Sequence, residues 1–223
     1  ESIDANPLLA RVGAYYHDIG KSFDPGVFVE NLVNSENIHE KLEPEKSAEM
    51  IVAHVVKGIQ TAEKLGIPPE ITDFIPMHHG TMKITFFYEK AKESMSNGEL
   101  PDESKFRYPG PKPNTKETAL VMLADACESA VRSMPDPDPK KIENLVSNLI
   151  QGRIDEGQLD ESPLTFNDIR KIREVFINIL ISQHHKRIRY PNQEEMENEK
   201  QVPAAEAKYK PGDTTYVSNK SED

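Results

Sequence analysis

The residues best suited to chemistry stand near the N-terminus, in Tyr15-Tyr16-His17-Asp18-Ile19-Gly20-Lys21. An imidazole and a carboxylate lie side by side at the end of an apolar, helix-like run, and Gly20 is placed to stop that run. Adjacent helical residues point about 100° apart. His17 and Asp18 therefore converge on one ion only where the helix is ending and the carboxylate can reach sideways. Neutral imidazole nitrogen and carboxylate oxygen together suit divalent Zn, Fe, Mn or Ni. The pair gains weight from ligand types further along the chain: His54 in a second apolar helix, His78-His79 before Gly80, and Asp125 within Val121-Met122-Leu123-Ala124-Asp125-Ala126-Cys127. Together they read as one divided metal centre.

Each ligand taken singly has a plainer reading. His54 alone could be a hydrogen-bonded core histidine. His78-His79 could cap a helix end, where imidazolium suits the C-terminal dipole. Asp125 is costly to bury unless something cationic pairs with it, and Arg132, seven residues on, competes with a metal for that role. Lys21 either meets a phosphate oxygen or is an exposed lysine after a helix stop. A second doublet, His184-His185 before Lys186-Arg187, ends a late helix in a basic patch and is read as that plain case.

The elements that must position these groups are helical. Asn6-Pro7 opens a helix through Leu8, Leu9, Val12, Tyr15, Tyr16 and Ile19, closing at Gly20. Asp24-Pro25 opens a short helix reaching Val33, followed by a polar connection from Asn34 to Leu42. Pro44 starts a long helix with Met50, Ile51, Val55, Ile59 and Ala62 at helical spacing and Gly66 as its stop. Pro68-Pro69 begins a short helix that runs into His78-His79-Gly80, and another run spans Ile84 to Met95. The stretch from Asn97 to Thr115 breaks the pattern. Its Phe106-Arg107-Tyr108-Pro109-Gly110-Pro111-Lys112-Pro113 has too many prolines for a helix, and loops of such length tend to be functional or mobile. Thr118 to Met134 is the strongest amphipathic helix. Helices over Lys140–Ile154 and Phe166–His185 come next, and from Ile188 the apolar periodicity fades. These patterns predict an all-α domain over residues 1–187 with its ligands on facing helices, and a disordered acidic and polar tail over 188–223.

Composition limits the partners. The 223 residues carry a net charge of −11, so general binding to DNA, RNA or an anionic membrane surface is disfavoured. An anionic substrate is compatible if metal ions supply local positive charge. One cysteine, Cys127, excludes an internal disulfide and fits a reducing compartment. No apolar run approaches the roughly 20 residues of a membrane span, and no signal peptide is visible.

The order His17-Asp18, His54, His78-His79, Asp125 resembles the HD-domain metal-dependent phosphohydrolases, over about Asn6 to Met134. His17-Asp18-Ile19-Gly20-Lys21 is shared by several branches, and His78-His79-Gly80-Thr81 points to a two-metal set. The proline-rich loop followed by Ala119-Leu120-Val121-Met122-Leu123-Ala124-Asp125 is most similar to the intracellular HD domain of the membrane-anchored cyclic-di-AMP phosphodiesterases of the PgpH type. The resemblance implies an HD helical bundle and two divalent transition metals, Fe or Mn. It implies Asp18 as the bridge, His17 and Asp125 on one ion, and His54, His78 and His79 on the other. It also implies a cytoplasmic domain of an inner- or plasma-membrane protein. The family carries a further histidine on a preceding helix, and residues 1–16 contain none, so the set as given is expected to lack one ligand.

The activity so implied is hydrolysis of cyclic-di-AMP to linear pApA. Two ions can share a hydroxide and clamp the phosphate, so no amino-acid nucleophile is needed. Asp18 and Lys21 are then the catalytic candidates. Lys21, Arg107, Tyr108 and Lys112 are the candidate substrate contacts, since Arg pairs with phosphate and Tyr stacks on bases. The rival readings are another HD nucleotide or (p)ppGpp phosphohydrolase, and a catalytically weak module that senses a cyclic dinucleotide.

Overall fold

The architecture was taken from a computed structural model, which describes residues 2–32, 37–95 and 99–184. Among them are eight α-helices and no strand, apart from one isolated bridge between Lys83 and Arg107. The tail over 188–223, together with Val33, Asn34, Asn97 and His185, lies outside the described residues.

Helix α1 (Pro7–Tyr16) is started by Asn6, whose side chain accepts from the Leu8 and Leu9 amides at 3.1 Å each. It ends at Tyr16, not at Gly20. His17 is its C-cap, and the chain then tightens into a 3-10 turn over Ile19–Phe23. Gly20 has a different role from the expected helix stop. A Cβ there would lie 1.8 Å from the His54 carbonyl oxygen, so glycine is what lets this turn rest on the next long helix. The expected short helix after Asp24-Pro25 is instead two 3-10 turns, Pro25–Val27 and Val29–Asn31. So short a segment cannot recover the cost of nucleating an α-helix.

Helix α2 (Pro44–Lys64) buries Ser47, Ala48, His54, Val55, Gly58 and Ala62 along one face. The segment expected as one helix after Pro68 is two single turns, α3 (Pro69–Thr72) and α4 (Phe74–Met77), broken at Asp73. Helix α5 (Thr85–Ser94) packs on α2 through Phe87, Tyr88 and Ala91. The proline-rich segment begins with a 3-10 turn, Glu103–Phe106, and runs non-helically to Thr115. Thr115 caps α6 (Lys116–Arg132) through a reciprocal box with Thr118. Asp138 caps α7 (Pro139–Asp155), and α8 (Phe166–His184) returns alongside it.

The apolar groups sort into two regions. Leu123, Cys127 and Val131 of α6 meet Ile142, Val146 and Ile150 of α7 and Ile172 and Leu180 of α8. Around α2, Val55 and Ala62 pack with Ile75 and Tyr108, and Ala48 packs with Phe87 and Phe106. Wholly buried side chains such as Phe74, Phe106 and Met122 contribute roughly 1.5–3 kcal/mol each by removal from water. The ligand-bearing segments lie where α1, α4 and α6 meet, with α2 behind them. No helix among the described residues is long and apolar enough to cross a membrane.

Candidate metal centre

At the end of α1 the backbone changes from α to 3-10 geometry at Asp18, with φ −105° and ψ 15°. That change swings the carboxylate beside the preceding imidazole, and His17 Nε2 lies 3.2 Å from Asp18 Oδ2. A continuing helix would have kept the two on different faces. The other oxygen, Oδ1, lies 3.5 Å from His54 Nε2 and 3.6 Å from His78 Nε2. Asp125, reaching in from α6, is 3.8 Å from His17 Nε2. The residues expected as ligands are thus brought together from α1, α2, the end of α4 and α6.

Two groups of donor atoms result, each within 4.8 Å of one another: Asp18, His54, His78 and His79, and His17, His78 and Asp125. The division differs from the expected one: His78 is common to both groups, and Asp18 falls in the first alone, although its Oδ2 also lies beside His17. Arg132 does not compete for Asp125. Its ion-pair partner is Glu128, at 3.5 Å and one helical turn away.

The protein itself sets which ring nitrogens face the centre. Nδ1 of His17 donates to the Ala14 carbonyl at 2.8 Å, Nδ1 of His54 to Ile51 at 2.6 Å, and Nδ1 of His78 to Ile75 at 2.7 Å. A carbonyl only accepts, so each Nδ1 carries a hydrogen and each Nε2 is turned inward. Nε2 of His54 and of His78, Oδ1 of Asp18 and Nδ1 of His79 are buried without a hydrogen-bond partner, while Nε2 of His17 meets only the carboxylates of Asp18 and Asp125. So many buried orphans in one place would be costly in a purely structural cluster. A divalent cation would satisfy them all, and the donor set of imidazoles and carboxylates fits one.

Charge agrees with that fit at three of the histidines, while His17 is paired with carboxylates. Burial pulls the pKa values of His54, His78 and His79 down, His78 to about 4, so their lone pairs are free at neutral pH. Burial alone would also lower His17, but hydrogen bonds and attraction from Asp125 and Asp18 push it up to about 10. Asp18 is held well below the usual carboxylate range against its burial, by His17 and Lys21. Lys21 Nζ sits 2.9 Å from Asp18 Oδ2 and 2.7 Å from Glu30.

The expected substrate contacts fare differently. Tyr108 is 9% exposed and stacks on His79, with ring centroids 4.0 Å apart and planes 17° from parallel. One face of its ring is thus covered by His79 and little of the side chain is exposed. Phe106 is wholly buried against Tyr88. Arg107 is engaged by Glu103 and donates to the Thr81 carbonyl at 2.8 Å. Lys112 is partly exposed, 3.7 Å from Asp160. His184 bonds the Leu180 carbonyl at the end of α8 and belongs to neither donor group.

Sequence reading missed Phe28, whose ring meets His54 edge-on at 5.5 Å, and Glu30, the second partner of Lys21. It also missed Gln158, which is buried against Thr81. No local pattern marks any of the three, since each is defined by what it touches.

Comparison with known proteins places these features. The HD domain family profile matches residues 1–130. The chain is 44% identical over 191 residues to the cyclic-di-AMP phosphodiesterase PgpH of Bacillus subtilis, covering 86% of this chain and 26% of that protein. It is 40% identical over 192 residues to PgpH of Listeria monocytogenes, covering 86% and 26%. The crystal structure of the L. monocytogenes PgpH HD domain in complex with cyclic-di-AMP superposes with a TM-score of 0.77 at 41% identity, covering 84% of this chain and 85% of that one. This chain spans about a quarter of the length of the curated relatives it matches. With the His-Asp pair, the histidine doublet and the distant aspartate assembled around one centre on a helical scaffold, the chain belongs to the HD-domain family.

Proposed function

We propose that this domain is a metal-dependent phosphodiesterase that opens cyclic-di-AMP to the linear dinucleotide pApA. The observation that carries the reading is the convergence of two groups of donor atoms that share His78, with Asp18 Oδ1, His54 Nε2, His78 Nε2 and His79 Nδ1 buried and unpartnered. In this reading His17, Asp18, His54, His78, His79 and Asp125 would hold two divalent ions, Fe or Mn. Such ions, when bound, neutralise phosphate oxygens and make water a competent nucleophile at neutral pH. The relatives named as cyclic-di-AMP phosphodiesterases, and the related HD domain solved with cyclic-di-AMP, supply the substrate class.

The chain's own residues do the rest. Lys21 keeps Asp18 ionised and fixed in orientation, while Glu30 holds Lys21 in place. His54, His78 and His79 are kept neutral by burial, so acidification to the low side of neutrality does not cost their lone pairs. Phe28 and Tyr108 wall the centre against bulk water. Lys21 and Lys112 are the cations we assign to the substrate phosphates, and Arg107 and Tyr108 to support of the His79 segment. We place the domain on the cytoplasmic side, within a longer membrane-anchored protein.

The test is product analysis on the Fe(II)- and Mn(II)-loaded protein with cyclic-di-AMP, cyclic-di-GMP and (p)ppGpp, alongside elemental analysis. Conversion of cyclic-di-AMP to pApA with two ions per chain is the expected result. Tight binding without turnover would make this a sensor, and preferred turnover of (p)ppGpp would make it a different hydrolase.

A further inference from the structure

We propose that Gln158 is a positioning residue for the metal centre, acting on His79 through Thr81. Gln158 lies just past α7, beyond the family-matched residues 1–130, and is 1% exposed. Its Oε1 accepts from the Thr81 amide at 3.0 Å, and its Nε2 donates to Thr81 Oγ1 at 3.1 Å. The Thr81 hydroxyl in turn lies 3.3 Å from Oε1, so it can accept from one end of the amide while donating to the other. Among the described residues, the hydrogen bonds of this buried side chain are thus all directed to one residue, two positions after His79.

His79 is the ligand that needs such help. His17, His54 and His78 each have Nδ1 tied to a backbone carbonyl, which fixes the ring. His79 has no such tie among the described residues, its Nδ1 being one of the unpartnered donors, so its aim is set by the backbone that carries it and by the face of Tyr108 beneath it. That backbone turns at Gly80 with φ +53°, in the left-handed region. A Cβ on Gly80 would meet Gln158 Oε1 at 2.5 Å and Met122 Cε at 2.9 Å, so the turn is closed in from α6 and from Gln158. The peptide groups around it are fixed in both directions. Gln158 takes the Thr81 N–H, Arg107 donates to the Thr81 carbonyl, and the Met82 amide donates to the His79 carbonyl at 3.1 Å. Supports of this kind, one layer behind a ligand, govern ligand orientation and hence metal affinity.

The inference rests on the metal-centre reading above, and its test separates the two. The affinity for Co(II), by competition with a chelator, and the visible ligand-field absorption of the Co(II)-loaded protein are compared across variants. Gln158→Met keeps the volume and removes all three hydrogen bonds to Thr81. It is expected to weaken one binding step by about 10- to 100-fold and to alter the absorption bands. Thr81→Val removes only the hydroxyl, gives a smaller change in the same direction, and carries the test should Gln158→Met not fold. Val146→Ala, in the α6–α8 core, is the control. It lowers the melting temperature and leaves affinity and spectrum unchanged. Wild-type values in the Gln158 and Thr81 variants, or an equal spectral change in Val146→Ala, would overturn the positioning role while the centre stands. A wild-type protein that binds no Co(II) would overturn the centre itself, and this inference with it.

Discussion

Tyr108, itself only 9% exposed, lies almost flat on His79, with ring centroids 4.0 Å apart. The proline-rich loop delivers its tyrosine against a candidate metal ligand, and on the proposed reading the ring supports that ligand instead of stacking on an adenine. Tyr108→Ala should cost about 3–5 kcal/mol of stability, as large aromatic deletions in cores do. It should also lower metal affinity roughly tenfold. Turnover of cyclic-di-AMP and of a small generic phosphodiester should fall together, and Tyr108→Phe should preserve both. Steady-state kinetics with metal analysis checks this. Loss confined to cyclic-di-AMP, with metal intact, would return the ring to base recognition.

Asp18 directs its two oxygens to different histidines, Oδ2 toward His17 and Oδ1 toward His54 and His78. Asp18→Ala should abolish turnover and reduce metal content on both sides of the centre. His184→Ala, at the far end of α8, should change neither. Elemental analysis of the purified variants distinguishes them, and equal losses would mean that the wrong histidines have been assigned.

Gly20 and Gly26 provide a matched contrast in the same segment. A Cβ at Gly20 would sit 1.8 Å from a backbone oxygen of α2, whereas nothing lies within 4 Å of one at Gly26. Gly20→Ala should displace the His17-Asp18 turn and destabilise the domain by about 4 kcal/mol or more. Gly26→Ala should be neutral, or stabilising by up to about 1 kcal/mol through the unfolded chain. Denaturant titration of both variants provides the measurement.

Cys127 is 1% exposed in the α6–α8 core, and burial pushes its thiol up to about 11. A raised thiol pKa leaves the unreactive protonated form dominant at pH 8, with thiolate appearing only as the pH approaches that value. Iodoacetamide at pH 8 should therefore modify the unfolded chain readily and the native protein at a rate at least roughly tenfold lower. Mass spectrometry with and without denaturant reads the difference. Rapid native modification would contradict the packing around α6.

The sequence alone was enough for the helical class, the cap at Asn6 and the choice of candidate ligand residues, because these depend on local chemistry and on 3.6-residue periodicity. It also set the late histidine doublet apart from the ligands, and His184 stands at the end of α8, outside both donor groups. The geometry of the centre was not legible in the same way. That α1 ends before His17, that Gly20 is a contact glycine, and that His78 faces both donor groups result from how α2, α4 and α6 close on one another. The same holds for Tyr108, whose ring could have faced either a substrate or a ligand from any local reading of its loop. Gln158 gave no signal at all, being a polar residue in a turn until Thr81 is brought against it across 77 residues of chain. Residue type fixes what a side chain can bind. Which partner it meets is decided by burial, since a donor or acceptor removed from water must find its partner among whatever the tertiary packing places beside it.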